Sequence, residues 1–211
     1  MPTDDFETLA ARADLARLLA ACFYEPGPEF AEERLFESMA QAAARIDPSL
    51  AEAAGRLGEA FAAGDAQELL VDYTRLFVGP TGALAQPYGS VWLEDGSSLM
   101  RESTVAVNAL YDEGGFELAE DFRDLPDHVA AELEFLYLLL FRRAEAARNA
   151  DPAAAERFAQ TQRRFLDEHL GRWVAPFTAA VRDGAQTAFY RGLGGLTESF
   201  VRSEVHEAGR R

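Results

Sequence analysis

Three residues close together in the chain, Asp127, His128 and Glu132, have side chains suited to acid–base catalysis or metal binding. On a helix, His128 and Glu132 would share one face because they are four residues apart. Metal sites in helical bundles repeat a Glu-x-x-His pair, however, and no histidine here has a glutamate three residues before it. We therefore predict no metal site, and expect Asp127 to cap a helix and His128 to form a hydrogen bond. A nucleotide-binding or hydrolytic site built from the three residues is the alternative.

The remaining sequence contains few of the patterns that identify a catalytic or cofactor-binding protein. Cys22 is the only cysteine, which excludes an internal disulfide and any multi-cysteine zinc or iron–sulfur site. The chain has neither a phosphate-binding loop nor the Gly-x-Ser-x-Gly motif of hydrolases, and the glycine-rich run 192–195 predicts a bend. These observations predict a protein that is not an enzyme and holds no cofactor.

The charge of the chain indicates which partners it favours. Its 36 acidic residues outnumber 20 basic residues, which gives a net charge of -16. Such a surface repels nucleic acid and anionic lipid and attracts cationic partners, although acidity that serves only solubility also explains the composition. The N-terminus carries acid where a secretory signal carries base, and no run of about 18 apolar residues occurs. We expect a cytoplasmic protein that binds no nucleic acid and does not insert into a membrane.

Apolar residues recur at three- to four-residue spacing almost throughout, which is typical of amphipathic helices, and no alternating strand pattern competes. Asp47 and Asp151 each precede a proline and Asp65 opens a capping box, so each of the three predicts a helix start. The most apolar helix is predicted to begin at Pro126 and to lie at the centre. The sequence thus predicts an all-α fold, a single helical-bundle domain of about nine helices over residues 1–211.

Helical periodicity breaks over residues 79–96, which are too rich in glycine and proline for a predicted helix. A loop this long inside a compact domain is usually functional or disordered, and the apolar side chains of this one argue against disorder. We predict an ordered loop that packs on the helices, with helix resuming near Leu99 and ending at Gly114-Gly115.

The loop and the end of the helix before it carry aromatic and apolar side chains, although loops and helix ends usually lie at the protein surface. One interpretation is that these side chains close the core. The other is a hydrophobic groove for a peptide that is apolar along its length and basic at one end, and the spacing alone leaves both open. The groove would be formed by Tyr73, Leu76, Phe77, Pro87, Tyr88 and Trp92, with a rim of carboxylates from Asp72, Glu94, Asp95, Asp127 and Glu132.

Three motifs in this region resemble the signature of the TorD/DmsD family of redox-enzyme maturation chaperones, which is related to the NarJ chaperones. They are DYTRLFVGP at 72–80, PYGSVW at 87–92 and PDHVAAELEF at 126–135. The motifs follow one another in the family's order and at its spacing, and the helices predicted above match the family along essentially the whole chain. Two positions often held by tryptophan in the family are Tyr73 and Tyr88 here.

The resemblance implies a TorD-like all-helical fold and a chaperone that performs no chemistry. Such a chaperone binds the twin-arginine leader and the apo form of a molybdenum oxidoreductase of the DMSO-reductase class, assists insertion of the molybdopterin cofactor and prevents premature export. Carried over position by position, the peptide-binding residues are Tyr73, Leu76, Phe77, Pro87, Tyr88, Ser90, Trp92, Asp127 and His128.

Other interpretations stay open beside this one. A helical scaffold could contact only the folded enzyme or the cofactor-loading machinery. The resemblance also suggests a domain-swapped dimer with a hinge at 112–126, although we expect a monomer. The sequence does not identify the molybdoenzyme that would be the client.

Overall fold

Helices make up most of the chain in the computed structural model, which describes residues 6–27, 30, 34–79, 82–94, 101–118, 122 and 124–210. No strand occurs in these ranges, and the all-α prediction is confirmed. Ten α-helices with defined bounds lie within them, against about nine predicted. They are α1 (Phe6–Ala21), α2 (Leu35–Ala44), α3 (Pro48–Ala63), α4 (Ala66–Tyr73), α5 (Gly89–Leu93), α6 (Glu102–Gly114), α7 (Val129–Arg148), α8 (Pro152–Glu168), α9 (Leu170–Gly184) and α10 (Ala188–Gly209), and a π-helical stretch (Thr74–Val78) follows α4.

Three helices begin at the aspartates that the sequence predicts as caps. The Asp47 carboxylate accepts the backbone N–H of Ser49 at 2.7 Å, and Asp65 and Asp151 cap α4 and α8 in the same way. A side-chain acceptor at this position satisfies an N–H that has no partner within the helix, which is why short polar residues start helices. The hydrogen bonds from Ser49 also lower the pKa of Asp47.

Helix α7 lies at the centre of the bundle, between α1 and α8. Its inward side chains, Leu133, Phe135, Leu136, Leu139 and Leu140, are fully buried, as predicted for the most apolar helix. They belong to one continuous apolar cluster that extends from α1 to α10. No helix in the described part of the chain combines the length and the apolar composition needed to cross a membrane.

A buried polar network links the two ends of the chain across this core. The Arg12 guanidinium donates from Nε and Nη2 to the two carboxylate oxygens of Glu204, at 2.7 Å each. Gln162 Nε2 donates to Glu204 Oε2 at 3.1 Å. Arg12 and Glu204 are 3% and 1% exposed, so the pair is desolvated and joins α1 to α10.

Three details of the predicted elements differ in the structure. The loop contains a short helix, α5, because tertiary contacts override its glycine and proline content. The central helix begins at Val129 instead of Pro126, after a turn. The run 192–195 lies inside α10, where Gly194 lets the helix approach α9: an added Cβ would lie 3.1 Å from the carbonyl oxygen of Thr178.

The predicted hinge is described only in part. Helix α6 ends at Gly114, and Gly115 adopts the left-handed conformation predicted for a helix stop, with φ 69°. Phe116 packs on the rings of Tyr111 and Phe135, with centroids 4.9 and 5.6 Å away. Residues 119–121 and 123 of the hinge lie outside the described residues, as does Leu99, near which α6 was predicted to begin. The hinge and the single-domain boundary stay predictions.

Candidate functional site

Backbone hydrogen bonds join the loop to the start of α7. Tyr88 and His128 form an isolated antiparallel bridge, in which Gly89 N donates to Asp127 O and Val129 N donates to Pro87 O, at 2.8 Å each. The bridge brings the second and third motifs into direct contact.

The first motif reaches the same place through an irregular turn. After the π-helical stretch, Gly79 has φ 49° and its N–H donates to Thr74 O at 2.7 Å. An added Cβ at Gly79 would lie 2.6 Å from the Gly82 carbonyl oxygen, so the close return of the chain requires glycine here. Ala85 N then donates to Leu76 O at 2.8 Å, which fixes the loop against the π-helical stretch.

Three half-buried tyrosines, Tyr24, Tyr73 and Tyr88, form what we call the tyrosine cluster. The ring of Tyr88 meets His128 edge-on with centroids 5.5 Å apart, and the ring of Tyr24 stacks on His128 at 6.3 Å. Burial raises the pKa of each of the three tyrosines, and the charge of Asp124 contributes in every case, which indicates that all three lie near this carboxylate. The cluster therefore places three aromatic rings near Asp124.

The carboxylates at this cluster are Glu25, Asp124 and Glu134. Tyr88 donates its hydroxyl to Asp124 Oδ1 at 2.6 Å, and Tyr24 donates to Glu134 Oε1 at 2.9 Å. Burial, followed by the charges of Asp124 and Glu25, raises the pKa of Tyr73 to about 12. Glu25 and Asp124 are exposed and Glu134 is half-buried, so acid is accessible beside the aromatic rings.

The carboxylates predicted as the rim have other partners. Asp72 is 1% exposed and accepts the backbone N–H groups of Gln186 and Thr187 at 2.9 and 2.8 Å. Glu94 accepts the N–H of Ser103 at 3.0 Å, which contributes to its lowered pKa. These two carboxylates thus hold neighbouring helices together. Asp95 lies outside the described residues.

His128 forms a hydrogen bond, as expected from the sequence, and Asp127 and His128 each accept an N–H at the start of a different helix. Asp127 is 1% exposed and accepts the N–H of Ser90 at 2.8 Å, so it holds α5 and does not cap α7. His128 is the cap: its Nδ1 accepts the N–H of Ala130 at 3.1 Å. An Nδ1 that accepts a hydrogen bond carries no proton, and burial lowers the pKa of His128, so the imidazole is neutral.

Glu132 is fully buried under the loop. Its Oε2 accepts the indole N–H of Trp173 at 3.0 Å, and an added Cβ at Gly89 would lie 3.1 Å from its Oε1. Burial raises the pKa of Glu132 well above its ordinary value and so favours the protonated side chain. Among the described residues no three His, Cys, Asp or Glu side chains are placed to hold a metal ion. Asp127, His128 and Glu132 thus support the loop.

Three of the six predicted groove residues, Leu76, Phe77 and Pro87, are buried and close the core, as the first interpretation predicted. Ser90 is buried as well. Trp92 is half-buried and donates its indole N–H to the carbonyl oxygen of Gln86 at 2.9 Å. Of the nine residues carried over by resemblance, Tyr73, Tyr88 and Trp92 offer the partly accessible rings. The assignment of the nine residues to peptide binding stays a prediction.

Sequence reasoning missed Tyr24, Glu25, Asp124 and Glu134. Tyr24 and Glu25 follow α1 more than forty residues before the first motif, and only the fold brings them to it. The positions of Asp124 and Glu134 relative to the third motif could have pointed to them. Asp124 stands just before the third motif, and Glu134 lies inside it.

Comparison with known proteins identifies the family. A family model described as the nitrate reductase delta subunit matches residues 43–179. The chain belongs to this family, as the resemblance of its motifs predicted. A solved structure described as a redox enzyme maturation protein from Archaeoglobus fulgidus shares the fold, with a TM-score of 0.51 and 19% identity over 92% of both chains.

Several relatives carry the names that the motifs suggested. The Tat proofreading chaperone DmsD of Salmonella typhi is 31% identical over 198 residues, 92% of this chain and 85% of that protein. The chaperone protein TorD of Photobacterium profundum is 28% identical over 67% of this chain and 64% of its own length. The selenate reductase assembly chaperone protein of Thauera selenatis is 39% identical over 39% of this chain and 43% of its own length. These are names of chaperones and not of catalytic enzymes.

Proposed function

We propose that this chain is a cytoplasmic chaperone that binds the twin-arginine leader of a molybdenum oxidoreductase at the tyrosine cluster, holds the apo-enzyme during cofactor insertion and delays its export. The observation that carries the proposal is the convergence of Tyr24, Tyr73 and Tyr88 around Asp124, with Glu25 and Glu134 beside them. The relatives' names support the chaperone role and the class of client.

The chemistry of the cluster suits adjacent arginines. A guanidinium is a planar fork that pairs with a carboxylate through two parallel hydrogen bonds and stacks on aromatic faces. Tyr88 uses one oxygen of Asp124 and Tyr24 uses one of Glu134, which leaves the second oxygen of each carboxylate for an arginine. The net charge of -16 would speed the encounter with a cationic leader.

Calorimetry with a synthetic leader tests the proposal. The peptide would be the leader of the molybdoenzyme encoded next to this chain, with a second peptide in which glutamines replace both arginines. We expect the first peptide to bind and the second to bind at least about tenfold more weakly, which corresponds to about 1.4 kcal/mol. Asp124→Asn and Tyr88→Ala should each weaken binding of the first peptide by a similar factor.

The control for lost charge is Glu59→Gln, because Glu59 is exposed on α3. It should bind the leader as the unmodified chain does, and far-ultraviolet circular dichroism should show equal helicity in every variant. Equal affinity for the two peptides, or full binding by Asp124→Asn and Tyr88→Ala, would reject the site. Capture of mature client lacking its leader, with no affinity for the leader, would favour the scaffold alternative.

A further inference from the structure

One face of the central helix leaves apolar side chains accessible. Glu134, Tyr137, Leu138 and Phe141 recur at the spacing that places them on a single face of α7. Tyr137 and Leu138 are half-buried, Phe141 is 40% exposed, and the rings of Tyr137 and Phe141 lie 5.8 Å apart. An accessible aromatic face on a helix whose remaining apolar side chains are largely buried is typical of a binding surface.

The face continues onto α1 at its far end. Phe6, 37% exposed, lies under the guanidinium of Arg148, with 5.8 Å between Cζ and the ring centroid. We call Tyr137, Leu138, Phe141 and Phe6 the α7 stripe. At a rise of about 1.5 Å per residue, Glu134 and Arg148 are about 21 Å apart along the helix, the length of about 14 helical residues of a bound peptide.

The two ends of the α7 stripe carry opposite charges. Glu134 lies at the end near the tyrosine cluster, and the hydrogen bond from Tyr24 to Glu134 makes the stripe and the cluster one continuous surface. Arg148 lies at the other end, over the ring of Phe6, whereas Arg142, one residue beyond Phe141, donates to Glu145 at 3.1 Å. A peptide with cations at one end and apolar residues along its length is attracted in one orientation, with its cations at Glu134.

We infer that the α7 stripe binds the apolar stretch of the same leader whose arginine pair binds at the tyrosine cluster. The inference rests on the proposed function and extends it, because none of the motif residues assigned to peptide binding lies on the stripe. Two observations select this occupant: the surface is continuous with the cluster, and its charge polarity matches a peptide that is basic at one end. A second copy of this chain is the competing occupant.

Binding measurements on paired peptides test the inference. One peptide is the complete leader, and the other has serines in place of its apolar residues while keeping both arginines. Phe141→Ser and Tyr137→Ser should each weaken binding of the complete leader by about tenfold. Neither should change binding of the serine peptide. The matched control is Val105→Ser, at a position 71% exposed on α6, which should leave both affinities unchanged.

A cross-linking experiment covers the case in which a stripe variant loses its fold. The unmodified chain is irradiated with leaders that carry a benzophenone either beside the arginines or at the far end of the apolar stretch. We expect the first probe to label the region of Tyr24 and Asp124, and the second to label the region of Phe141 and Phe6. Labelling in the reverse order, or labelling away from α7 by the far probe, would overturn the inference.

The outcomes separate the inference from the proposed function. If Asp124→Asn weakens binding of the complete leader while the stripe variants bind it fully, the inference fails and the proposed function stands. If neither peptide binds the unmodified chain, both fail. If sedimentation equilibrium shows a dimer that Phe141→Ser dissociates, the stripe is an interface between copies and the inference is overturned.

Discussion

Replacement of Glu132 gives the sharpest test of how the loop is supported. The side chain is fully buried, and its only described hydrogen bond comes from Trp173. We expect Glu132→Gln to fold with a free energy of unfolding within about 1 kcal/mol of the unmodified chain at mildly acidic pH, because the amide keeps an acceptor for the indole and resembles a protonated carboxyl group. Glu132→Ala should be strongly destabilised.

The size of the alanine effect follows from the contacts that are lost. The Trp173 N–H would lose its acceptor while buried, which costs about 1 to 3 kcal/mol. Removal of the Cγ methylene costs about 0.8 kcal/mol more. We expect Glu132→Ala to lower the free energy of unfolding by about 2 to 4 kcal/mol, a large share of the stability of a domain of this size.

The contribution of Glu132 to the free energy of unfolding should decrease as the pH rises. Burial raises the pKa of Glu132 in the folded chain above its ordinary value of 4.5, so between the two pKa values the folded state holds a proton that the unfolded state has released. The stability that this proton contributes is complete below the ordinary value and is lost as the pH rises through the folded pKa. Each unit of the shift corresponds to about 1.4 kcal/mol, and Glu132→Gln removes this dependence.

Urea unfolding, followed by tryptophan fluorescence from the ordinary pKa of 4.5 up to about pH 9, measures the effect. As the pH rises, the free energy of unfolding of the unmodified chain should fall relative to that of Glu132→Gln. Infrared spectroscopy should show the carbonyl stretch of a protonated carboxyl group that persists above the ordinary pKa of 4.5, and the variant should lack that band. A difference in stability that does not change with pH, together with no such band, would refute a protonated Glu132.

Three further substitutions test other buried contacts. Asp72→Ala should lower the free energy of unfolding by about 3 to 5 kcal/mol in urea unfolding, because the buried N–H of Thr187 loses its charged acceptor; a loss below about 1 kcal/mol would contradict this. Glu204→Gln should also lower the free energy of unfolding, because it removes the carboxylate that accepts two hydrogen bonds from Arg12, and the cost should shrink when Arg12 is replaced by methionine in the same chain. Because burial lowers the pKa of His128, its stability contribution is lost as the pH falls from its ordinary pKa of 6.5 through the folded pKa, and His128→Asn, which keeps a capping acceptor, should flatten thermal stability in that window.

The sequence predicted those parts of the fold that depend on neighbouring residues. The predicted caps at Asp47, Asp65 and Asp151 were confirmed because a capping hydrogen bond joins residues only two or three positions apart, so the local sequence contains both of its partners. Helix α5 was missed because its position depends on the bridge between Tyr88 and His128, forty residues apart. Local propensity carries no information about such a contact.

The predicted acidic rim includes carboxylates that the structure buries. Asp72 lies three residues after Leu69 and four before Leu76, and both of these leucines are buried, so its spacing placed it on the inward face of the helix. Glu132 likewise shares its face with buried Val129 and Leu136. The apolar periodicity thus indicated that these two carboxylates point inward. The acidic composition of the chain instead favoured the interpretation that they are exposed. Glu25 and Asp124 lie outside helices, where no periodicity indicates which way they point.

The motif residues divide into those that present rings and those that hold the presenting segments in place. Tyr73 and Tyr88 are the half-exposed rings of the cluster, whereas Asp127 and Glu132 lie beneath the loop. Loss of leader binding after Asp127→Ala is therefore expected whether or not a peptide touches Asp127, because α5 would lose the acceptor that holds Ser90. Asp124→Asn removes an accessible charge and leaves those internal contacts intact, so a loss of binding there with unchanged stability reports direct recognition of the arginines.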